Sequence, residues 1–293
     1  MGTRCSISLY ALSEAEARTR AQPAIADVAR LEAKYSRYLE DSFLSELNRV
    51  AATGGAIEVD AETASLLDYA QTCFVESEGL FDVTSGLLRR AWNFQPEGQT
   101  ALPRAPELDA LLARVGWDKL VWQDSTLRFP CAGMELDLGG LVKEYAVDRA
   151  VALLSDAGVR AALVNLGGDI AVTGPRADGR PWRVAIENPS QPGEALRNVE
   201  LTRGALASSG SYARSLEIEG VSYGHLLHPR TGFPLSGTLA ASVVADQCIV
   251  AGSLATIALL KEGSAREFLS ATQLPFLLFS ADGTLEDRLQ AAS

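Results

Sequence analysis

The chain has 293 residues, of which 47% are hydrophobic and 22% charged, and its mean hydropathy is +0.06. These values are typical of a globular protein and exclude a disordered, collagen-like or coiled-coil chain. Lysine and arginine number 26 against 37 aspartate and glutamate residues, which gives a formal net charge of −11. An acidic surface repels phosphodiester backbones and anionic lipids, so we expect neither nucleic acid nor a membrane surface as a partner.

The cysteines, the histidines and the apolar stretches indicate further what kind of protein this is. The four cysteines include no C-x-x-C pair, which favours buried thiols in a reducing compartment over disulfides or a zinc site. The only two histidines are His225 and His228, so any mechanism that needs imidazole must use this short segment. The first 20 residues lack the apolar run of a signal peptide, which predicts a cytoplasmic location. The apolar stretch 239–260 is interrupted by Asp246, which favours strand, loop and helix over a membrane span.

Local patterns predict a series of short elements along the chain. In chain order they are a strand at 3–9, a helix from the Ser13 cap to about 35, a helix from the Asp60 cap to about 75, a turn-rich connection at 96–106, a helix from Pro106 to 115, a hairpin at 119–129, a helix at 141–157 ended by Gly158, short strands at 162–164, 170–173, 182–186, 197–201, 215–218 and 221–223, the strand and helix of 239–260, and a final helix and a strand at 276–280. Strands in runs with helices between the runs predict an α+β fold with mostly antiparallel sheets.

The segment from Asp137 to Lys143 is the first that points to chemistry. A predicted strand ends at Asp137, Gly139 and Gly140 follow, and a helix then begins. This order leaves backbone N–H groups at a positive helix end, which suits a phosphate, and Lys143 adds charge one turn later. The pattern is neither of the two common glycine-rich nucleotide motifs. A tight turn with a solvated lysine remains the alternative.

Three further segments combine glycine with polar side chains: Asn165-Leu-Gly-Gly-Asp169, Ser208-Ser-Gly-Ser-Tyr212 and His225-Leu-Leu-His-Pro-Arg-Thr-Gly232. Glycine pairs allow positive φ or a close backbone approach, so the first segment fits a ligand site and a hairpin turn equally well. The second is a loop with hydroxyl donors. The third is more specific, since Pro229 and Gly232 favour a turn that carries both imidazoles of the chain.

In their order along the chain, these segments and several others resemble the FAD:protein FMN transferase (ApbE) family. The matching residues are Met1-Gly-Thr3, Tyr38, Asp41-Ser42, Asn48, Gly79-Leu-Phe-Asp-Val-Thr-Ser-Gly86, Trp92, Asp137-Leu-Gly-Gly140, Lys143, Asn165-Leu-Gly-Gly-Asp169, Ser209-Gly-Ser-Tyr212, His225 and Pro229-Arg-Thr-Gly232. The resemblance implies a single domain over residues 1–293, built of two closely packed lobes with FAD between them. It further implies that FAD and Mg²⁺ are used to transfer FMN, through a phosphoester bond, to a threonine or serine of an acceptor flavoprotein.

The resemblance also implies a role for individual residues. Those at FAD-contacting positions are Met1, Tyr38, Leu80, Phe81, Asp82, Asp137, Lys143 and Leu227. The rings of Tyr38 and Phe81 can pack on flat rings, and Lys143 can pair with a diphosphate. The Gly140 carbonyl and the Thr256 hydroxyl match metal ligands. His225 matches a residue that would act as general base on the attacking hydroxyl.

Three departures from the family pattern concern the metal. Gly252 stands where the family has its aspartate ligand, His228 replaces an aspartate, and Glu144 follows the lysine where glycine is usual. Since Mg²⁺ normally needs one or two carboxylates, its binding is expected to be weakened or lost unless Glu144, His228 or Asp246 takes over. Glu144 is the best candidate because it is an oxygen donor beside Lys143. We also expect that Gly252→Asp would strengthen Mg²⁺ binding.

Two alternatives to flavin transfer follow from the missing carboxylate at Gly252. The chain could bind FAD without transferring it, as a flavin store or delivery protein. It could instead hydrolyse FAD to FMN and AMP with the help of a metal.

Overall fold

The computed structural model describes residues 3–94, 99, 101–191, 193–211 and 215–289. The described helices are α1 (Glu14–Tyr35), α2 (Phe43–Thr53), α3 (Ala61–Glu76), α4 (Ala105–Leu112), α5 (Val142–Asp156), α6 (Cys248–Leu260) and α7 (Ala265–Thr272), with short 3₁₀ turns at Ser85–Arg90, Trp117–Lys119 and Glu262–Ser264. The described strands are β1 (Cys5–Leu9), β2 (Gly55–Glu58), β3 (Val121–Gln123), β4 (Thr126–Phe129), β5 (Ala162–Leu166), β6 (Asp169–Val172), β7 (Trp182–Glu187), β8 (Ala195–Leu201), β9 (Ala205–Gly210), β10 (Ser215–Ile218), β11 (Val221–Gly224), β12 (Thr238–Ala245), β13 (Phe276–Ser280) and β14 (Leu285–Asp287).

A seven-stranded sheet organises the fold, with strand order β1-β5-β6-β9-β12-β13-β14. Every neighbouring pair in this sheet is antiparallel. The smaller sheets are β2-β4-β3, β7-β8 and β10-β11. The α+β prediction with mostly antiparallel strands is therefore confirmed.

Alternating side chains bury both faces of the large sheet. Ala171 and Ala207 belong to the main hydrophobic cluster with helices α1, α3, α5 and α6, whereas Ile170, Val172 and Leu206 point to a second cluster. This second cluster includes inward-facing residues of the β7–β8 hairpin. The sheet thus lies between a helical layer and a hairpin, and its strand ends remain available for loops that carry polar residues.

Side-chain caps set the N-terminal ends of helices α1, α2 and α3. Ser13 Oγ accepts a hydrogen bond from Glu16 N–H at 3.2 Å, and Asp60 Oδ1 accepts one from Thr63 N–H at 2.9 Å. Both caps start helices where the sequence predicted them. The prediction omitted α2, whose cap is Ser42, and the central strand β9. The turn-rich connection at 96–106 lies partly outside the described residues.

None of the described helices has the length and apolar character that crossing a membrane requires. Helix α6 is the most apolar of them, yet it has 13 residues and packs against strands β9 and β12. The interpretation of 239–260 as strand, loop and helix is confirmed.

Candidate FAD and metal site

The loop 79–86 packs directly against the segment that carries Asp137. Asp137 N–H donates to Val83 O at 2.8 Å, and a Cβ atom on Gly86 would lie 2.4 Å from Cβ of Asp137. A Cβ atom on Gly140 would lie 3.5 Å from Cζ of Phe81. Glycine at residue 86 therefore permits the close approach of two segments that are far apart in the sequence.

Asp82 holds the loop in shape. Its Oδ1 accepts hydrogen bonds from Thr84 N–H at 2.8 Å and Thr84 Oγ1 at 2.6 Å, and its Oδ2 accepts one from Trp117 N–H at 3.0 Å. Burial raises the pKa of the Asp82 carboxyl group, against the opposing effect of these hydrogen bonds. The Asp82 side chain thus organises the loop, and its predicted contact with FAD stays a prediction.

Asp137 and Tyr38 meet through Arg37. The Arg37 guanidinium pairs with Asp137 Oδ2, donates to Tyr38 Oη at 2.9 Å and lies 5.0 Å from the Tyr38 ring centroid. Asp137 Oδ1 accepts a second hydrogen bond from Gly139 N–H at 2.9 Å. Tyr38 is 72% exposed, which leaves its ring available to a planar ligand.

Lys143, in the first turn of α5, lies between two carboxylates. Its ammonium contacts Asp169 Oδ2 and lies 3.1 Å from Glu144 Oε1. Both acidic residues are buried, Asp169 with 1% and Glu144 with 6% of its surface exposed. Asp169 Oδ1 also accepts a hydrogen bond from Ser208 N–H at 3.2 Å, so strands β6 and β9 and helix α5 converge here.

The amino-terminal segment reaches the same region. Gly167 N–H donates to Arg4 O at 2.9 Å, and a Cβ atom on Gly167 would lie 2.6 Å from Oγ1 of Thr3. Gly167 also has φ of +66°, which favours glycine. Met1, predicted to contact FAD, lies outside the described residues.

Thr256 on α6 is linked to the end of β9. The Thr256 and Ser209 hydroxyl oxygens are 2.7 Å apart. Two residues after Ser209, the carbonyl oxygen of Ser211 would lie 2.6 Å from a Cβ atom on Gly224, the residue before His225. The histidine segment and the Thr256 hydroxyl therefore both lie near the end of strand β9.

The segment after His225 forms a closed turn in which His228 has a structural part. His228 N–H donates to Phe233 O, and Gly232 N–H donates to His228 O, both at 2.8 Å. His228 Nδ1 accepts a hydrogen bond from Arg230 N–H at 3.2 Å. A carboxylate at residue 228 could accept the same hydrogen bond, so the imidazole substitutes for it as a turn acceptor.

This turn is joined to residues on either side of the loop 79–86. Trp92 Nε1 donates to Gly232 O at 2.8 Å, and the Arg230 guanidinium donates to Glu78 O. A cleft of 360 Å³ opens between them, with Gly79, Asp82, Lys119, Pro229 and Arg230 among its lining residues. Leu227 packs beside it against two small apolar clusters, and Leu80 packs against the main core.

Comparison with known proteins decides the family. The ApbE family model matches residues 1–278. The chain belongs to the ApbE family. The prediction from the sequence is therefore confirmed.

Curated relatives in this family share about a third of their residues with the chain. The FAD:protein FMN transferase of Vibrio cholerae is 32% identical over 272 residues, which cover 88% of this chain and 81% of that protein. The FAD:protein FMN transferase of Rhodobacter capsulatus is 33% identical over 261 residues, covering 87% of this chain and 49% of that protein.

Solved ApbE structures have the same fold. The ApbE protein of Thermotoga maritima superposes with a TM-score of 0.88 at 28% identity, covering 98% of this chain and 94% of that one. The flavin transferase ApbE of Vibrio cholerae gives a TM-score of 0.83 at 28% identity, covering 98% and 93% of the two chains.

The described residues expected at an ApbE ligand site form one connected region. The contacts above join Tyr38, Phe81, Asp82, Asp137, Gly140 and Lys143 to the segments of Thr256, His225 and Leu227. Arg37 was not predicted from the sequence, although it ties Tyr38 to Asp137. Its position beside Tyr38 was the one available signal, since its partner Asp137 is 100 residues away.

The replacement of the family aspartate by Gly252 has a structural counterpart. A Cβ atom on Gly252 would lie 2.5 Å from Cγ, 3.1 Å from Cδ and 3.2 Å from Oε1 of Glu144. Glu144 therefore fills the space that a side chain at residue 252 would need. Gly252→Asp would require the Glu144 side chain to move, and the expected gain of Mg²⁺ binding stays a prediction.

The donors present suit a metal that also binds substrate. Among the described residues there is no group of three or more histidine, cysteine, aspartate or glutamate side chains that could hold a metal by themselves. A site built from one or two carboxylates, a hydroxyl, a carbonyl and substrate phosphates is what Mg²⁺ commonly uses. Glu144 Oε2 is buried and has no hydrogen-bond partner, so an oxygen ligand is available.

Proposed function

We propose that this chain transfers FMN from FAD to a threonine or serine hydroxyl of an acceptor flavoprotein and releases AMP. The observation that carries the proposal is the convergence of Lys143, Asp169, Ser209 and Thr256 after the segment 137–140, which itself packs against the loop 79–86. The names of the curated relatives give the reaction class. The bond that forms joins the acceptor oxygen to the FMN-side phosphorus of FAD. The bond that breaks is the phosphoanhydride, whose electron pair leaves with AMP.

Binding of FAD uses the aromatic and cationic groups of the site. The exposed Tyr38 ring offers a stacking surface to the isoalloxazine or adenine. Lys143 moves from its carboxylate partners to the diphosphate, and the N-terminus of α5 adds the favourable end of a helix dipole. Asp137 is held by Arg37 and Gly139 N–H, which orients its backbone for FAD.

His225 is the proposed general base. It follows strand β11 directly and belongs to the segment that packs on Ser211. In the reaction it accepts the proton of the attacking hydroxyl, which makes the oxygen a better nucleophile. His228 is unsuited to this role, because its Nδ1 is engaged by Arg230 N–H in the turn.

A divalent cation would be held by the Gly140 carbonyl, the Thr256 hydroxyl and the FAD phosphates. When bound, it offsets the negative charge that develops on the phosphate during transfer. Ser209 lies 2.7 Å from the Thr256 hydroxyl and orients it.

The test is a flavinylation assay with the purified chain, FAD, Mg²⁺ and a threonine-bearing acceptor domain. We expect the acceptor to gain the mass of FMN while an equal amount of AMP appears. His225→Gln should bind FAD as the parent does and lose transfer, whereas His228→Asn, the matched control, should retain it. AMP without a flavinylated acceptor would indicate FAD hydrolysis. Bound but unchanged FAD would indicate a flavin store, and either result would overturn the proposal.

A further inference from the structure

Helices α5 and α6 pack in an antiparallel register that brings Glu144 to Gly252. Asp148 Oδ1 and Oδ2 on α5 accept hydrogen bonds from Cys248 N–H at 2.7 Å and Ile249 N–H at 2.9 Å, at the start of α6. One turn earlier on α5, Glu144 meets Gly252, one turn later on α6. Residues four apart share a helix face, so the Asp148 cap sets the position of Glu144.

One of the predicted metal ligands, Thr256, lies one turn after Gly252 on α6, and the other, Gly140, lies in the turn that precedes α5. Four residues before Glu144 is Gly140, and four residues after Gly252 is Thr256. Since residues four apart share a helix face, Thr256 follows Gly252 on the α6 face that the Glu144 side chain contacts. A side chain at residue 252 would extend from α6 into the space beside Gly252, which the Glu144 side chain occupies from α5.

The charged groups around Glu144 include a carboxylate oxygen that is free to bind a cation. Glu144 and Asp169 are both buried, and Lys143 contacts one oxygen of each. Glu144 Oε2 remains without a hydrogen-bond partner. A buried carboxylate oxygen that lacks a partner is costly, unless a cation or a donor is bound during function.

We propose that Glu144 supplies the carboxylate ligand of the divalent cation, in place of the side chain that residue 252 lacks. This inference rests on the proposed function for the identity of the site. Lys143 neutralises the carboxylates while no metal is bound, and it turns to the FAD diphosphate when the cation takes its place. The substitutions at residues 144 and 252 thus form a reciprocal exchange that conserves one carboxylate between α5 and α6.

The experiment measures Mn²⁺ binding to the full chain by the loss of the free-ion EPR signal, with and without FAD and with no acceptor present. Glu144→Gln keeps the shape of the side chain and should weaken Mn²⁺ binding by about 10-fold or more. Glu144→Gly combined with Gly252→Asp should restore affinity to within a few-fold of the parent. Asp156→Asn, an exposed carboxylate at the end of the same helix, is the matched control and should bind as the parent does.

Three results separate this proposal from the proposed function. Parent-like Mn²⁺ affinity in Glu144→Gln would overturn the assignment of Glu144, and so would a parent chain that binds no Mn²⁺ with or without FAD. FAD affinity without metal, measured by calorimetry, tests the proposed function separately. A parent that binds no FAD would overturn that function, while the Mn²⁺ titration of the free chain would still decide the role of Glu144. Thermal unfolding of each variant shows that the fold is retained.

Discussion

The Asn48 side chain forms two hydrogen bonds with the backbone of Leu136. Asn48 Oδ1 accepts from Leu136 N–H at 2.7 Å, and Asn48 Nδ2 donates to Leu136 O at 3.0 Å. The side-chain amide thus replaces a neighbouring strand and fixes the residue that precedes Asp137. This contact explains structurally why asparagine is part of the motif that follows Tyr38.

Asn48→Ala should therefore destabilise the chain. Leu136 is fully buried, so both of its backbone groups would lose their partner in a place that water reaches poorly. We expect the free energy of unfolding to fall by about 2 to 4 kcal/mol in urea denaturation. Asn198→Ala, at an exposed position of β8, is the control and should change it by less than about 0.5 kcal/mol. Equal effects of the two substitutions would contradict the role given to Asn48.

Gly86→Ala should displace Asp137 and weaken FAD binding. The new Cβ atom would lie 2.4 Å from Cβ of Asp137, which is too close for both backbone segments to stay in place. We expect an overpacking cost of about 1 to 3 kcal/mol and FAD affinity, followed by flavin fluorescence, reduced by about 10-fold. Gly263→Ala, where a Cβ atom meets nothing within 4 Å, should leave both quantities unchanged. Unchanged FAD affinity in Gly86→Ala would remove Asp137 from the proposed site.

His228 should make stability depend on pH below neutrality. Burial lowers the pKa of the His228 imidazole from its ordinary value of 6.5; the Glu262 charge opposes this shift and the Arg230 charge adds to it. The unfolded chain therefore takes up a proton at this residue more readily than the folded chain. Stability should decrease as the pH falls through 6.5 towards the lower pKa of the folded state.

Replacing the imidazole tests this linkage. His228→Asn keeps a hydrogen-bond acceptor for Arg230 N–H and removes the titrating group, so it should flatten the stability profile between about pH 7 and 5. His228→Asp should do the same, since an aspartate is already ionised in this window. Urea denaturation at a series of pH values measures the slope. A slope identical to that of the parent would show that His228 does not titrate differently on folding.

Glu62 should contribute stability that is lost in acid. Two hydrogen bonds from Arg30, at 2.7 and 2.8 Å, lower the pKa of the Glu62 carboxyl to about 2; partial burial opposes the shift, and Lys34 at 2.9 Å supports it. Because the Glu62 pKa is lower in the folded chain, the ionised carboxylate stabilises the fold above about pH 4.5, the ordinary value of the pKa. This contribution is lost as the pH falls to about 2. These contacts connect α1 to the first turn of α3.

Glu62→Gln should therefore cost about 1 to 2 kcal/mol at pH 7, after allowance for the solvent exposure of Arg30. The difference from the parent should shrink steadily below pH 4.5. Glu58→Gln, at an exposed position of β2, is the control and should show no such pH-dependent difference. A constant difference between pH 7 and 3 would mean that packing rather than charge explains the effect.

Features that depend on neighbouring residues were predicted well from the sequence. The Ser13 and Asp60 caps act within four residues of themselves, and Gly158 ends α5 with φ of +76°. Helix α2 was missed although Ser42 caps it and Leu44 and Leu47 face the core. Strand β9 was missed because alanine, serine and glycine have low strand propensity, and only its central place in the sheet makes it a strand.

The site was predicted as a set of motifs, but their chemistry depends on how they meet. The order of the motifs identified the family and most of the residues expected to touch FAD. From the sequence, Gly252 indicated only that the family's aspartate ligand is missing, and Glu144 was one of three candidates to replace it. In the structure, Glu144 fills the space at Gly252, whereas His228 Nδ1 accepts a hydrogen bond within its own turn, which supports Glu144 over His228.

The sequence by itself determined the family, the α+β class and the caps, because these follow from short-range patterns and from the order of motifs. Only the tertiary structure decided that Lys143 lies between Glu144 and Asp169, and that Arg37 joins Tyr38 to Asp137. The contacts of Lys143 with Asp169 and of Arg37 with Asp137 join residues that are far apart in the sequence. Their geometry is set by the packing of the helices on the sheet, which no local pattern in the chain encodes.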